Sequence, residues 1–131
     1  MTIDSQDGLI TFSESKGKRA VTSNRVITGL AASRGTVVGQ TVKISERSDA
    51  RRVQRGNILV TTMTTPEHLD AMYRSGGCIT STGGITCHAA IIMREMGKPA
   101  VIAAGTEVLD LPDGTWVKLD GGAGTIEVLP D

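Results

Sequence analysis

Apolar and polar positions fall into distinct textures along this chain. Residues 1–25 are polar, with Gly8, Ser13, Ser15, Gly17 and Ser23, and only Leu9-Ile-Thr-Phe12 has the make-up of a short strand. A flexible N-terminal extension is the expectation there. From Val26 to Ile44 β-branched residues dominate, punctuated by Gly29, Gly35 and Gly39. Within that run Val42 and Ile44 alternate with Thr41 and Lys43, the period of a half-buried strand. Residues 45–56 form a charged connection. Three short apolar runs follow: residues 57–61 read as a strand, 78–80 as a second, buried strand, and 100–103 as a third, parallel strand buried on both faces.

The segments between these runs carry the other period. In the first, Thr65 is placed as a cap, Pro66 at the first helical position and Glu67 in the first turn. Its apolar face is read as Leu69, Met72 and Tyr73, and Gly76-Gly77 stop it. In the second, Thr86 is the candidate N-cap, which puts His88 at the second helical position. Ala89, Ile92, Met93 and Met96 then line one face at i, i+3, i+4 and i+7. Gly97 supplies the stop, with Pro99 just beyond. Strand, helix and strand in succession predict an α/β core of parallel strands with right-handed crossovers. Residues 106–112 read as a loop or short helical turn whose Leu109 and Leu111 cover an edge. The chain closes on a hairpin, 115–120 and 125–129 about a Gly121-Gly-Ala-Gly124 turn, with Val117, Leu119, Ile126 and Val128 on one phase.

Composition narrows the class. The 131 residues make one domain with a modest core. Aromatic residues are only 2%, so aliphatic side chains must fill that core, and a formal net charge of zero argues against a nucleic-acid footprint. Arg51, Arg52 and Arg55 form a basic cluster and read as a solvated loop. No apolar run has the ~20 residues that a membrane-spanning helix needs, and the first residues lack a signal-peptide pattern, so a cytoplasmic location is expected. Cys78 and Cys87 read as reduced thiols. With His68 and His88 they lack paired zinc-ligand spacing, so no metal site is expected.

Chemistry concentrates in Thr80-Ser-Thr-Gly-Gly-Ile-Thr-Cys-His88. Gly83 and Gly84 admit backbone angles and approaches that a Cβ forbids. A helix start presents unpaired N–H groups and the positive end of the dipole, so phosphate is the usual anion there. A neutral histidine in that first turn is a nucleophile able to form a covalent bond to phosphorus. Gly83, Gly84 and Thr86 are the candidate phosphate-binding residues. Thr86 is also a candidate cap, and Cys87 reads as packing. His68 reads as a surface or packing histidine, and Arg94 and Lys98 as surface charges or partner contacts.

Residues 82–90, with the following Ile91-Ile-Met-Arg-Glu-Met-Gly-Lys-Pro-Ala-Val101, closely resemble the phosphohistidine loop and helix of the swivelling domain in phosphoenolpyruvate-utilising enzymes. Val60-Thr-Thr-Met-Thr-Thr-Pro66 resembles that family's Val-Thr-x-Met-Thr-x-Pro signature. Gly29-Leu-Ala-Ala-Ser33 resembles its first strands, with Arg34 where the family has proline. The C-terminal hairpin is similar as well, so the resemblance covers about residues 27–129. Cys87 before the histidine is most similar to the phosphoenolpyruvate synthase branch.

The resemblance implies a swivelling β/β/α phosphohistidine domain at residues 26–131, with a small parallel βαβ core. His88 would be the phosphorylated residue, and Thr86 the threonine that regulatory kinases modify. The implied partners are an ATP-grasp domain or subunit and a (β/α)₈ barrel that binds pyruvate and phosphoenolpyruvate. ATP and Mg²⁺ would belong to the partner, and no cofactor to this chain. The chain itself has no Gly-x-x-x-x-Gly-Lys-Ser/Thr loop and no evident acidic pair for Mg²⁺, so a carrier is expected rather than a self-sufficient kinase. Alternatives are a non-catalytic regulatory or interaction module of the same fold, or a carrier whose acceptor is a drug, phenol or glucan. Met1 and the polar extension fit either a free-standing subunit or a piece of a longer protein.

Overall fold

The computed structural model describes residues 25–45 and 47–130. The expected N-terminal extension and its Leu9–Phe12 strand lie outside the described residues. Eight strands run in the order β1-β8-β7-β3-β4-β5-β6-β2. They are β1 (Arg25–Thr28), β2 (Leu30–Ser33), β3 (Thr36–Lys43), β4 (Ile58–Thr61), β5 (Gly77–Thr80), β6 (Ala100–Ile102), β7 (Trp116–Asp120) and β8 (Thr125–Val128). Strands β1 and β2 stand at opposite ends of that order but are separated in the chain only by Gly29, whose N–H donates to Gly124 O at 2.9 Å. The sheet must therefore curl until its two ends meet.

The curl yields two β layers. Strands β1, β8, β7 and β3 pair antiparallel. Strands β3, β4, β5 and β6 pair parallel, and β2 adds antiparallel on β6. Between the layers Ile58, Val60, Ile79 and Val101 meet Ile27, Val117, Leu119 and Ile126, all buried. On the opposite face of the parallel strands Leu59, Cys78, Ala100 and Ile102 pack under the helices against Met72, Ala89, Ala90 and Met93. This is the β/β/α arrangement expected, and it accounts for the continuous apolar runs of β4, β5 and β6, which have a core on each side.

Three local expectations change. The strand ending at Ile44 is not simply half-buried: Thr41 is 1% exposed, and its hydroxyl donates to Pro112 O at 3.0 Å. The reason is that β3 belongs to both layers, so its end is covered on both faces. The first helix opens as a 3-10 turn, Pro66–His68, before α1 (Leu69–Arg74). At three residues per turn, positions i and i+3 eclipse. The buried face is consequently His68, Ala71 and Met72, while Leu69 and Tyr73 are exposed. The charged connection contains a 3-10 segment, Arg47–Arg52, and the Arg52 guanidinium pairs with Asp113.

Two cations read as surface charges or partner contacts also satisfy helix and loop carbonyls, Arg94 while remaining exposed. Lys98 Nζ donates to Met72 O at 3.2 Å and Ser75 O at 2.7 Å, and also to Tyr73 O, closing the C-terminal end of α1. Arg94, on α2 (His88–Met96), donates through Nε to Ala32 O at 2.8 Å and through its second guanidinium nitrogen to Ile85 O at 2.6 Å. It thus ties β2 and the loop before α2 to that helix. As expected, Gly97 stops α2 in the left-handed conformation, φ 71°.

Candidate functional site

The candidate site lies at the carboxyl edge of the parallel strands, where loops of an open α/β sheet gather. Neighbouring strands β4 and β5 end in paired threonines, Thr61 and Thr80. Each folds its hydroxyl back onto the carbonyl two residues on: Thr61 Oγ1 to Met63 O at 3.3 Å, and Thr80 Oγ1 to Thr82 O at 2.6 Å. The loops that leave the two strands are then laced together. Ser81 N–H donates to Thr61 O, and both the N–H and the hydroxyl of Thr82 donate to Thr62 O. One loop carries Thr64 and the other leads into His88.

These two residues meet. Thr64 Oγ1 lies 2.8 Å from His88 Nδ1. Thr64 is 6% exposed, so the contact is anchored on the buried side of the ring. The bond decides which nitrogen is free. If Nδ1 carries the proton and donates to Thr64, Nε2 keeps its lone pair; the reverse assignment puts the proton on Nε2 and leaves no nucleophile. Among the described residues no protein group is bonded to Nε2.

The loop places the other candidates unequally. Gly83 has φ +124°, a conformation that favours glycine, and a Cβ there would also stand a tight 3.1 Å from Cys87 Sγ. A Cβ on Gly84 would meet nothing within 4 Å, which leaves its backbone open to an incoming group. Thr86 is exposed and is not the cap. Cys87 occupies that position, with extended backbone and no side-chain cap bond, because a turn closed by Cys87 N–H on Gly84 O at 2.9 Å carries the chain one residue further. His88 is therefore the first helical residue rather than the second. Intrahelical bonding begins with Ile91 N–H on Cys87 O, so the N–H groups of His88, Ala89 and Ala90 form the open first turn.

A cavity of about 90 Å³ lies beside the histidine, lined by Met63, Thr64, Thr80, Thr82, Gly83, Cys87 and Ala89. Cys87 packs there as expected. Cys78 is buried on β5, and both thiols are free. Burial, with Cys87 nearby, pushes the Cys78 thiol up to about 12, so it stays protonated at neutral pH. No group of three or more His, Cys, Asp or Glu side chains able to hold a metal occurs among the described residues. No described helix is long and apolar enough to cross a membrane.

His68 is a packing histidine, as read from the sequence. Its Nδ1 accepts from Thr65 N–H at 3.2 Å, which fixes the neutral ring with its proton on Nε2. Burial holds its pKa below the ordinary 6.5, Glu67 works against that shift, and His88 adds to it. In the window between the lowered value and 6.5 the unfolded chain binds more protons, so His68 stability is present above 6.5 and is lost as pH falls through the window. Thermal melting followed from about pH 7.5 to about pH 5 is expected to fall less steeply in His68→Gln than in the native chain.

Sequence reading did not assign Thr64. The signal was present, since Val60, Thr61, Met63, Thr64 and Pro66 are the fixed positions of the Val-Thr-x-Met-Thr-x-Pro pattern. Three have roles here: Thr61 bonds the Met63 carbonyl, and Thr64 bonds the histidine.

Comparison with known proteins places these features together. Residues 53–124 match the family model described as PEP-utilising enzyme, mobile domain. A "Probable phosphoenolpyruvate synthase" of Methanothermobacter thermautotrophicus is 40% identical over 119 residues, 90% of this chain and 17% of that protein. One of Archaeoglobus fulgidus is 43% identical over 101 residues, 77% of this chain and 13% of that protein. The chain thus spans less than a fifth of the length of these relatives. The solution structure of Enzyme I superposes with a TM-score of 0.53 at 28% identity, covering 63% of this chain and 34% of that one.

Proposed function

Because the chain belongs to the family of PEP-utilising enzyme mobile domains, we propose that it is a phosphohistidine carrier whose His88 accepts a phosphoryl group at one active site and surrenders it at another. The observation that supports this most is the 2.8 Å contact of Thr64 Oγ1 with His88 Nδ1, at the start of α2. With Nδ1–H donating to Thr64, the Nε2 lone pair attacks the phosphorus of a donor. The bond from phosphorus to the donor's leaving oxygen breaks as the N–P bond forms, and Nδ1 keeps its proton throughout. At the acceptor the sequence reverses. The open N–H groups of the first α2 turn and the backbone at Gly83 and Gly84 are the groups we assign to the phosphoryl oxygens. To Thr86, which is exposed, we assign a regulatory role as a site of modification by a kinase.

Donor and acceptor chemistry belongs to partners in this reading. An ATP-grasp domain would bind MgATP and generate the phosphohistidine, and a (β/α)₈ barrel would exchange the group with pyruvate and phosphoenolpyruvate. The chain is then one component of a phosphoenolpyruvate synthase-like phosphotransferase.

The test uses the Methanothermobacter relative as partner, with any histidine it carries at the position aligned with His88 replaced by alanine. Incubated with that protein and MgATP, or with phosphoenolpyruvate and Mg²⁺, the chain is expected to gain one acid-labile phosphoryl group by intact mass. Phosphoramidate, a small chemical donor, reports the reactivity of the ring without any partner. A chain left unmodified by all three donors contradicts the carrier reading and favours a non-catalytic module.

Thr64 acts in this scheme as a positioning residue. Thr64→Val is expected to slow enzymatic labelling by about a hundredfold, the scale of a ~1 Å misplacement. Thr64→Ser is expected to restore most of the rate. The ¹⁵N shifts of the ring should lose the Nδ1–H tautomer preference in the valine variant and keep it in the serine variant. Equal rates and unchanged tautomers in Thr64→Val would remove Thr64 from the mechanism.

A further inference from the structure

A second cavity, of about 520 Å³, shares no lining residue with the small one beside the histidine. It is a groove of the size that takes a small molecule. Edge strand β2 and the residue after it, Ala31 to Arg34, line it between α2, which contributes Arg94, and the β7–β8 turn at Gly121 and Gly122. Apart from the arginines its surface is small and uncharged.

Both charges that line the groove are positive. Arg34 is exposed, and among the described residues it makes no hydrogen bond or ion pair. It is also the position at which the chain departs from the family pattern, which has proline there. Arg94 uses Nε on Ala32 O at 2.8 Å and Nη2 on Ile85 O at 2.6 Å. Those two bonds fix the plane of its guanidinium and leave Nη1 with no protein acceptor among the described residues. The carboxylates next in the chain do not balance the pair. Glu95 follows Arg94 on α2 but does not line the groove. Asp120 precedes Gly121, and its Oδ1 accepts from the N–H groups of Gly122 and Ala123, both at 3.0 Å.

A single exposed arginine is an ordinary solvated charge. Two on one concave surface, one of them held flat by carbonyls and neither matched by an acid in the lining, fit an anion with more than one oxyacid group. We propose that this groove binds a small polyanion, one carboxylate or phosphate group on Arg34 and another on Nη1 of Arg94, with its uncharged body against Ala31, Ala32 and the Gly121-Gly122 turn. The site stands apart from the carrier reading, since it uses neither His88 nor Thr64.

The experiment titrates the ¹⁵N-labelled, unphosphorylated chain with citrate, pyrophosphate and acetate, against sodium chloride at matched ionic strength. The amides of Ser33, Arg34, Gly121 and Gly122 and the Nε–H of Arg94 are expected to shift saturably with citrate or pyrophosphate. Acetate, with one charge, is expected to bind at least about tenfold more weakly. Whichever of the two polyanions binds tighter names the group, carboxylate or phosphate. Arg34→Ala is expected to raise the Kd by about tenfold or more, and Arg34→Lys by about threefold, because the charge remains while the fork is lost. Both variants are expected to melt near the native temperature, Arg34 being exposed and unbonded. His88→Ala is expected to leave the Kd unchanged, so a failure here and a failure of the carrier reading are told apart. Shifts that follow ionic strength alone, or a native Kd in Arg34→Ala, would overturn the proposal. So would saturable shifts confined to residues 83–90, which would put the anion at the start of α2 instead.

Discussion

His88→Ala is expected to abolish acid-labile phosphorylation by ATP, phosphoenolpyruvate and phosphoramidate alike, lowering the rate by more than about a thousandfold, as removal of a covalent nucleophile does. The chain offers no ready substitute. The other described histidine, His68, is buried, and its Nδ1 is committed to Thr65 N–H. The Cys87 thiol lines the small cavity beside Thr64 and Thr80. The loss is also expected to be clean. His88 is half-buried at the first position of α2 and belongs to neither core, and alanine is the best helix former. What disappears on the protein side is one hydrogen bond to Thr64, worth about 1 kcal/mol. A variant that melts near the native temperature yet takes up no phosphoryl group therefore reports chemistry. A variant labelled as fast as the native chain would assign the phosphoryl group elsewhere.

The largest stability effect is expected far from the histidine, at Gly121→Ala. Gly121 opens the turn between β7 and β8, and its N–H donates to Gly35 O at 2.8 Å. A Cβ built there would stand 1.7 Å from Ser33 O and 2.9 Å from Ala100 N, both backbone atoms of the β2–β6 ladder. Neither can move without separating the hairpin from the parallel layer, whose inner core includes Leu119 and Val101. The substitution is expected to cost about 3 kcal/mol or more, at the top of the range for overpacking, and to lower the melting temperature by roughly 10 °C. Gly122→Ala is the control. A Cβ there meets only Asp120 Oδ1 at 3.5 Å, an ordinary contact, so little change is expected. Equal melting of the two variants would show that Gly121 is an ordinary turn residue.

That contrast shows what a sequence discloses and what it does not. The turn itself was legible, since Gly121-Gly-Ala-Gly124 sits between two alternating runs. Which glycine answers to a neighbouring backbone was not, because Ser33 and Ala100 are distant in sequence. The three buried strands were legible from their unbroken apolar runs, and Gly97 as a helix stop from its place after Met96. The parallel pairing of β3 with β4 was missed, because alternation tells which face a strand buries and not which strand it pairs with. The face of the first helix was misread, since its period shifts where the 3-10 turn becomes α1. At the site, His88 and Gly83 stood out by residue type and spacing. Thr86 was assigned a capping role that the structure gives to Cys87, one residue being the usual error where a turn feeds a helix. Thr64, Arg94 and Lys98 were opaque in their roles because each acts on a partner more than twenty residues away.

The position of the phosphoryl group on the ring tests the central claim most directly. The chain, uniformly labelled with ¹⁵N and phosphorylated, would be read by long-range ¹H–¹⁵N correlation of its histidine rings together with ³¹P coupling. The account predicts a single modified ring, that of His88, with phosphorus on Nε2 and a proton retained on Nδ1 toward Thr64. Phosphorus on Nδ1 of His88, on His68, or on a hydroxyl of the loop would contradict it.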